Sequence, residues 1–365
     1  MRFFSKKISF LYPLVIASSA LFGQNRETEM TMSQQPAQMQ PGYNAPMAPV
    51  ENNKNYWFDI DAAFTYWEAM QENMELGAVG DVTAPSDTIN ATFTNMNFEF
   101  KPGFTVGAGF GCKDDNWDVF VNYAWFRSTT TERVSLDSTN YLESFYPAWT
   151  IPQAGDQSFF GAKETWTVNM DIIDSELGRA FYVGKRLTCR PFIGLRAPFI
   201  RQKVAVRYSE HINDSTLTTY VNESTQSWGL GPRAGFGMNW ELGRGFAFYG
   251  KGAADIVYTE YTSLNFQQKS TGASGSVVDG SMYTSHQSNL GYARTHMDMT
   301  LGFAWNTKFD NDTKSVDLRM DYGFQVFFSQ NMFRNFLDDQ AYLKSTAPNG
   351  NLYLQGLTVT LGFAL

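Results

Sequence analysis

The stretch "SVDLRMDYGFQVFFS", residues 315–329, most narrows what this chain can fold into. Val316, Leu318, Met320, Tyr322, Phe324, Val326 and Phe328 alternate with Asp317, Arg319, Asp321 and Gln325. Period-two alternation over such a length reads as one β-strand with an oily face and an ionic face. In a soluble sheet the oily face would be core; in a membrane barrel it would meet lipid, and the charges would point inward.

The same texture recurs. Strand-like segments fall at 57–68, 93–112, 116–127, 163–183, 187–208, 226–240, 246–260, 290–307, 314–330 and 352–365. Short polar connections at 112–116, 184–187, 241–245 and 308–313 alternate with long ones at 69–92, 128–162, 209–225, 261–289 and 331–351. Long loops at one end and tight turns at the other mark an outer-membrane barrel, with the turns periplasmic. The expected fold is an all-β transmembrane antiparallel up-and-down barrel of about ten strands, an even number from ten to fourteen. Extra strands would most readily hide in 69–92 or 128–162.

Facing supports this. In 226–240, Trp228, Leu230, Phe236 and Trp240 oppose Ser227, Gly229, Gly231, Arg233, Gly235, Gly237 and Asn239. In 290–307, Met297, Met299, Leu301, Phe303 and Trp305 oppose His296, Asp298, Thr300 and Gly302. Trp228 with Trp240, and Trp117 with Trp125, are spaced as interfacial girdles. Inward glycines, including Gly107, Gly109 and Gly111, suit a narrow interior.

The first residues read as an export signal: cationic "MRFFSKK", an apolar run, then small residues, giving 1–23 as signal peptide. Residues 24–54, rich in Gln, Pro and Met, read as a flexible periplasmic leader, and 55–365 as the barrel. No later run reaches the roughly 18 apolar residues of a spanning helix. The final strand, "LYLQGLTVTLGFAL", presents Leu357, Val359, Leu361, Phe363 and Leu365 on one face. It is suited to close the barrel against the first strand and to be read by the barrel-assembly machinery.

A net charge of −8 argues against nucleic-acid partners. Two cysteines and three histidines without metal spacing argue against a structural metal, and no cofactor is expected. Expected partners are outer-membrane lipids, small hydrophilic solutes and a further copy of the chain.

Two strands break phase. In 163–183, Trp166, Val168, Met170 and Ile172 share one parity with Asp174 and Glu176. The apolar four are expected to face lipid, so a bulge at Ile172-Ile173 must turn the acids inward and send Leu177 and Phe181 out. Arg179 then points outward and must snorkel to the periplasmic rim. A similar shift near Pro198 would put Ile193, Leu195, Val204 and Val206 outside, and Arg190, Arg196, Arg201, Lys203 and Arg207 inside. Further expected pore-lining residues are Asp59, Asp61, Asp171, Asp174, Glu176, Arg233, Lys251, Asp255, Asp298, Asp317, Arg319 and Asp321. Folding about Gly184-Lys185-Arg186 brings Asp171, Asp174 and Glu176 near Arg196 and Arg201. The bland reading is ion pairs that stiffen the barrel; the functional one is a constriction whose field selects solutes. Segment 128–162 is long enough to fold inward.

"GFTVGAGFGCKDDNWDVFVNYAWF" (103–126) and "DIIDSELGRAFYVGKRLTCRPFIGLRAPFIRQKVAVRY" (171–208) resemble the pore-forming major outer-membrane-protein group of legionellae and chlamydia-related bacteria. The resemblance implies a surface-exposed porin for general solute exchange. Chlamydial porins are cysteine-rich and cross-linked, whereas this chain has only Cys112 and Cys189, so disulfide networking is not carried over. These two fall on non-neighbouring strands, beyond the roughly 7 Å reach of a bridge.

The expected function is therefore a porin for passive diffusion of small hydrophilic solutes and ions. A plugged adhesin or structural barrel is the alternative. An outer-membrane hydrolase is less favoured: His296 with Asp298 is the one candidate dyad, His211 and His286 falling in loops, and no G-x-S-x-G occurs.

Overall fold

The computed structural model describes residues 56–81, 91–112, 116–136, 143–151, 159–212, 215–271, 277–310, 313–336, 345–346 and 349–365. The expected signal peptide 1–23 and leader 24–54 lie outside them. Ten long strands build the barrel: β1 (Tyr56–Gln71), β2 (Phe100–Cys112), β3 (Trp117–Ser135), β4 (Phe159–Arg179), β5 (Leu187–Ile212), β6 (Ser215–Gly243), β7 (Phe246–Thr271), β8 (Leu290–Phe309), β9 (Lys314–Phe327) and β10 (Leu352–Ala364). Each pairs antiparallel with the next. The ring closes where β10 pairs back onto β1, from Asp59–Ala364 to Gln71–Leu352. A closed ladder leaves no unpaired edge for lipid to meet.

The tight turns have the expected chemistry. Gly243 pairs with Phe246 around Arg244-Gly245, both at positive φ, 56° and 83°. That is the twist a two-residue hairpin needs.

Large apolar side chains stay exposed on the outer face of every strand, among them Ile60, Phe104, Val119, Leu177, Ile193, Leu230, Ile256, Leu301, Met320 and Leu361. In water such a belt would be unstable; in a bilayer it is the required surface. The opening alternation is resolved accordingly: Leu318, Met320 and Phe324 face out, whereas Asp317, Arg319 and Asp321 face the interior. Trp117, Trp228 and Trp240 are likewise on the outer face.

Two expected long loops are instead mostly strand. β5 and β6 run through 209–225 to within two residues of each other, and β7 continues to Thr271, where Val277–Gln287 pairs onto it. Segments such as "LTTYVNEST" keep β-compatible Thr, Tyr and Val while losing the oily outer face, so the polarity change marks the end of lipid contact, not of the strand. Extra strands do lie in 69–92 and 128–162, Glu75–Asp81 and Glu143–Pro147. With Ala91–Asn95, which takes the start of the expected 93–112 strand away from the barrel, they form a small sheet that is not part of the ring and touches β4 at Phe145–Phe159.

Both expected register shifts are absent. β4 pairs continuously with β3 and β5 from Gly161 to Gly178, and β5 pairs with β6 without a shift at Pro198. Trp166, Val168, Met170 and Ile172 are therefore buried inside, at 0–3% exposure, as are Val204 and Val206. The cause is a change of surroundings at constant parity. Within the bilayer the outer face must be apolar; beyond it the outer face meets water, and the inner face becomes the hydrophobic core. Asp174, Glu176, Leu177 and Phe181 take their expected sides without any bulge. Arg179 lies outward at the turn end, over the Trp117 and Phe181 rings.

Candidate functional site

The interior is stacked in three levels. At the turn end lies a cavity of about 280 Å³, lined by Asp59, Asp61, Asp118, Asp174, Glu176, Asp317 and Asp321 and by Arg190, Lys251 and Arg319, with Trp57 and Phe120. Seven acids against three bases give it an acidic field. Arg190 bonds Asp118 and Glu176, the latter at 3.0 Å, and Lys251 reaches the other oxygen of Glu176. Arg319 stands 3.8 Å from Asp61 and 3.5 Å from Asp317, and the Tyr249 hydroxyl donates to Asp321. Gly107 makes room for this wall: a Cβ there would sit 2.7 Å from the Asp61 carboxylate.

The middle level is a compact ion-pair cluster. The strand register sets Asp174 opposite Arg196 and Arg233 opposite Asp255. Arg196 grips Asp174 at 2.7 and 2.8 Å and approaches Asp255 and Asp298 at 3.3 Å. Arg233 bonds Asp298 at 2.6 and 2.8 Å and lies 3.3 Å from Asp255. His296 Nδ1 completes the cluster 2.8 Å from Asp255. Buried charges persist only where opposite charges and hydrogen bonds surround them, and here each ion has at least two partners or a two-point bond.

The loop end is dry. Trp166, Met170, Ile200, Val204, Tyr208, Phe126 and Phe327 from the barrel wall pack against Met74, Leu76, Met96, Phe145, Trp149, Ile151 and Phe333 from the connections. The inward fold of 143–151, part of the long 128–162 segment, is pinned from two sides. The Trp149 amide donates to the Tyr208 hydroxyl at 3.4 Å, which itself donates to the Leu76 carbonyl at 2.8 Å, and the Ile151 amide donates to Gln268 Oε1 at 2.8 Å. Trp166 Nε1 donates to Gln202 at 3.1 Å, so that buried indole is satisfied, whereas Trp149 Nε1 has no hydrogen-bond partner among the described residues. A further latch joins the turn after β1 to β10: Glu72 accepts from the Tyr353 hydroxyl and from the Asn351 amide at 2.9 Å.

Of the residues expected in the lumen, Asp59, Asp61, Asp174, Glu176, Arg190, Arg196, Arg233, Lys251, Asp255, Asp298, Asp317, Arg319 and Asp321 lie inside the barrel. Arg201, Lys203, Arg207 and Asp171 do not; without the two register shifts they face outward. Asp171 bonds Arg127 at 2.7 Å and lies 3.6 Å from Arg201 on that outer face. Asp118 and Tyr249 were missed, although both sit at inward parity on strands whose phase was legible. The partner of His296 is Asp255 on the neighbouring strand, while Asp298 belongs to Arg233. His211 and His286 fall on strand extensions, and His286 Nδ1 meets Asn265 at 2.6 Å. Cys112 and Cys189 are free thiols on the non-adjacent β2 and β5.

Solved structures with a similar trace include the outer membrane protease OmpT of Escherichia coli (8% identity, 84% of this chain and 96% of that chain, TM-score 0.30). A Pseudomonas aeruginosa FadL homologue shares 6% identity over 88% of this chain and 92% of its own, TM-score 0.25. The P. putida toluene transporter TodX shares 8% over 88% and 91%, TM-score 0.20. Likeness at those scores decides nothing about this chain. No curated protein matches it. A family model described as Legionella pneumophila major outer membrane protein precursor matches residues 48–365, which takes in the whole barrel. With its closed ring and lipid-facing belt, the chain is an outer-membrane β-barrel protein and belongs to the Legionella major outer membrane protein family.

Proposed function

We propose that the protein is a porin that passes small hydrophilic solutes and ions by passive diffusion, and that the conformation described is its shut state. The carrying observation is the charged cavity at the turn end: seven acids and three bases converge on a space of about 280 Å³. A wall of this kind holds water and ions, and its acidic excess favours cations. The inward-folded 143–151 segment and the loop-end core close the conduit above it. The reading involves no catalytic step. His296 is wedged between Asp255 and the Phe327 ring, and among the described residues no hydroxyl or thiol bonds to it.

The packed loop end favours a second reading, a sealed structural or adhesive barrel. Swelling of liposomes that contain the folded protein separates the two. Uptake of small sugars that falls steeply with sugar size supports the porin. Uptake no faster than in protein-free liposomes, from protein shown to be folded, overturns it in favour of the sealed barrel.

A further inference from the structure

The outward basic residues leave the lumen without Arg201, Lys203 and Arg207 and give the outer face a feature that the pore does not use. On β3 the last outward aromatic is Trp125, and the next outward residue is Arg127, whose guanidinium lies 5.0 Å from the Trp125 ring centre. On β5 the last is Phe199, followed by Arg201 and Lys203. Beyond these, Arg133, Lys163 and Arg207 stand directly opposite one another across β3, β4 and β5. The same row runs on through Tyr220 to Lys269. Outward Thr129, Thr131, Thr165, Thr167, Asn222 and Ser224 fill the space between with hydroxyl and amide groups.

Like charges at facing positions of a ladder repel. Here three consecutive strands place them so, and none of Arg133, Lys163, Lys203, Arg207 and Lys269 forms an ion pair with a described acid. Of the acids on this face, Asp171 is taken by Arg127 and Arg201, and Glu260 lies opposite Trp228, on the turn-end side of the row formed by Arg133, Lys163, Arg207 and Lys269. The band is also one-sided. On β1 the outward residue past Tyr66 is Glu68, bonded by Gln355, and the turn beyond carries Glu72. Repulsion confined to one sector, just past the lipid-facing aromatics, calls for an external anion at headgroup depth.

We propose that the outer face of β3–β7 at the loop end is a binding surface for phosphorylated headgroups of outer-leaflet lipid. Arg127, Arg201 and Lys203 meet phosphates next to the acyl chains, and Arg133, Lys163, Arg207 and Lys269 meet phosphates carried further out. Guanidinium groups suit phosphate because they bond it at two points, and the aromatic edge below positions the acyl chains. The surface is continuous with the lipid belt, which commits it to a lipid and not to a soluble anion.

The test uses the folded full chain in phosphatidylcholine nanodiscs with a minor fraction of bisphosphorylated lipid A, and native mass spectrometry to count retained lipid. Wild-type protein retains lipid A and does not retain its dephosphorylated form. Arg201→Gln/Lys203→Gln/Arg207→Gln weakens retention on the order of a hundredfold, at about a factor of five per basic residue near an anionic surface. Arg201→Lys/Arg207→Lys keeps most of it, and Lys314→Gln, at a turn, leaves it unchanged. Retention that is equal in the triple variant, or indifferent to the phosphates, overturns the proposal. Displacement of lipid A by millimolar inorganic pyrophosphate would reassign the surface to a free anion and overturn it as a lipid site.

Discussion

Asp174 and Arg196, set opposite each other by the β4–β5 register, close a two-point ion pair inside the barrel at 2.7 and 2.8 Å. Around them Asp255, Asp298, Arg233 and His296 complete a cluster that spans β4 to β8. Arg196→Ala removes the cation that touches all three carboxylates. The expected loss is about 3–5 kcal/mol, the range for breaking a buried pair. Urea titration of folding into lipid vesicles measures it. Asp174→Ala in the same background should then cost much less than it does alone, because its partner is already gone.

The register across Pro198 has a chemical readout. In a Cys112→Ser/Cys189→Ser background, Lys203→Cys should react with a membrane-impermeant maleimide on intact cells, and Val204→Cys should stay unmodified in the folded barrel. Val204 is 0% exposed, while Lys203 points outward. The opposite pattern would restore a register shift at Pro198.

Ion selectivity separates lumenal from outward charge. Asp59→Asn/Asp61→Asn removes two of the seven cavity acids and should reduce cation preference in a reversal-potential measurement under a salt gradient. Arg201→Glu, on the outer face, should leave the reversal potential where it was. A large shift from Arg201→Glu would put that residue back in the conduit.

Glu72 gives the loop end a dependence on pH. Partial burial raises its pKa, but hydrogen bonds from Tyr353 and Asn351 outweigh that and hold it below the ordinary glutamate value. A lowered folded value means the latch is fully present above the unfolded pKa and is lost as pH falls through the folded one. Limited proteolysis near 72–74 should therefore accelerate only under clearly acidic conditions, and Glu72→Gln should show the acidic pattern at neutral pH. Equal cleavage of wild type and variant at neutral pH would remove the latch from the account.

Much of the fold was legible because the bilayer enforces a simple rule on the outer face. Each of the ten strands was located from alternation, and the tight turns from Gly, Asp and Asn. The rule misled where strands leave the lipid. Trp166 and Val204 were placed outside because apolar residues were read as lipid-facing throughout, although the side that must be apolar reverses beyond the bilayer. The reversal could have been caught at Ile172-Ile173 and at Phe199-Ile200, where two apolar neighbours fall on opposite faces and polar residues hold the outer parity on the loop-end side, before the pair in β4 and after it in β5. Asp174 with Arg196 followed from the hairpin alone, since adjacent strands share a turn. The pairing of His296 with Asp255 needed the β7–β8 register, which the long connection between those strands leaves unset by local sequence.

Single-channel recording of the protein beside Phe145→Gly/Trp149→Gly/Ile151→Gly tests the central claim most directly. Those three side chains anchor the inward segment and are at most 2% exposed. The account predicts rare, brief, cation-favouring openings for the wild type and frequent openings of the same selectivity for the variant. A folded variant that conducts no more than a protein-free bilayer would contradict it and show a barrel sealed by more than its plug.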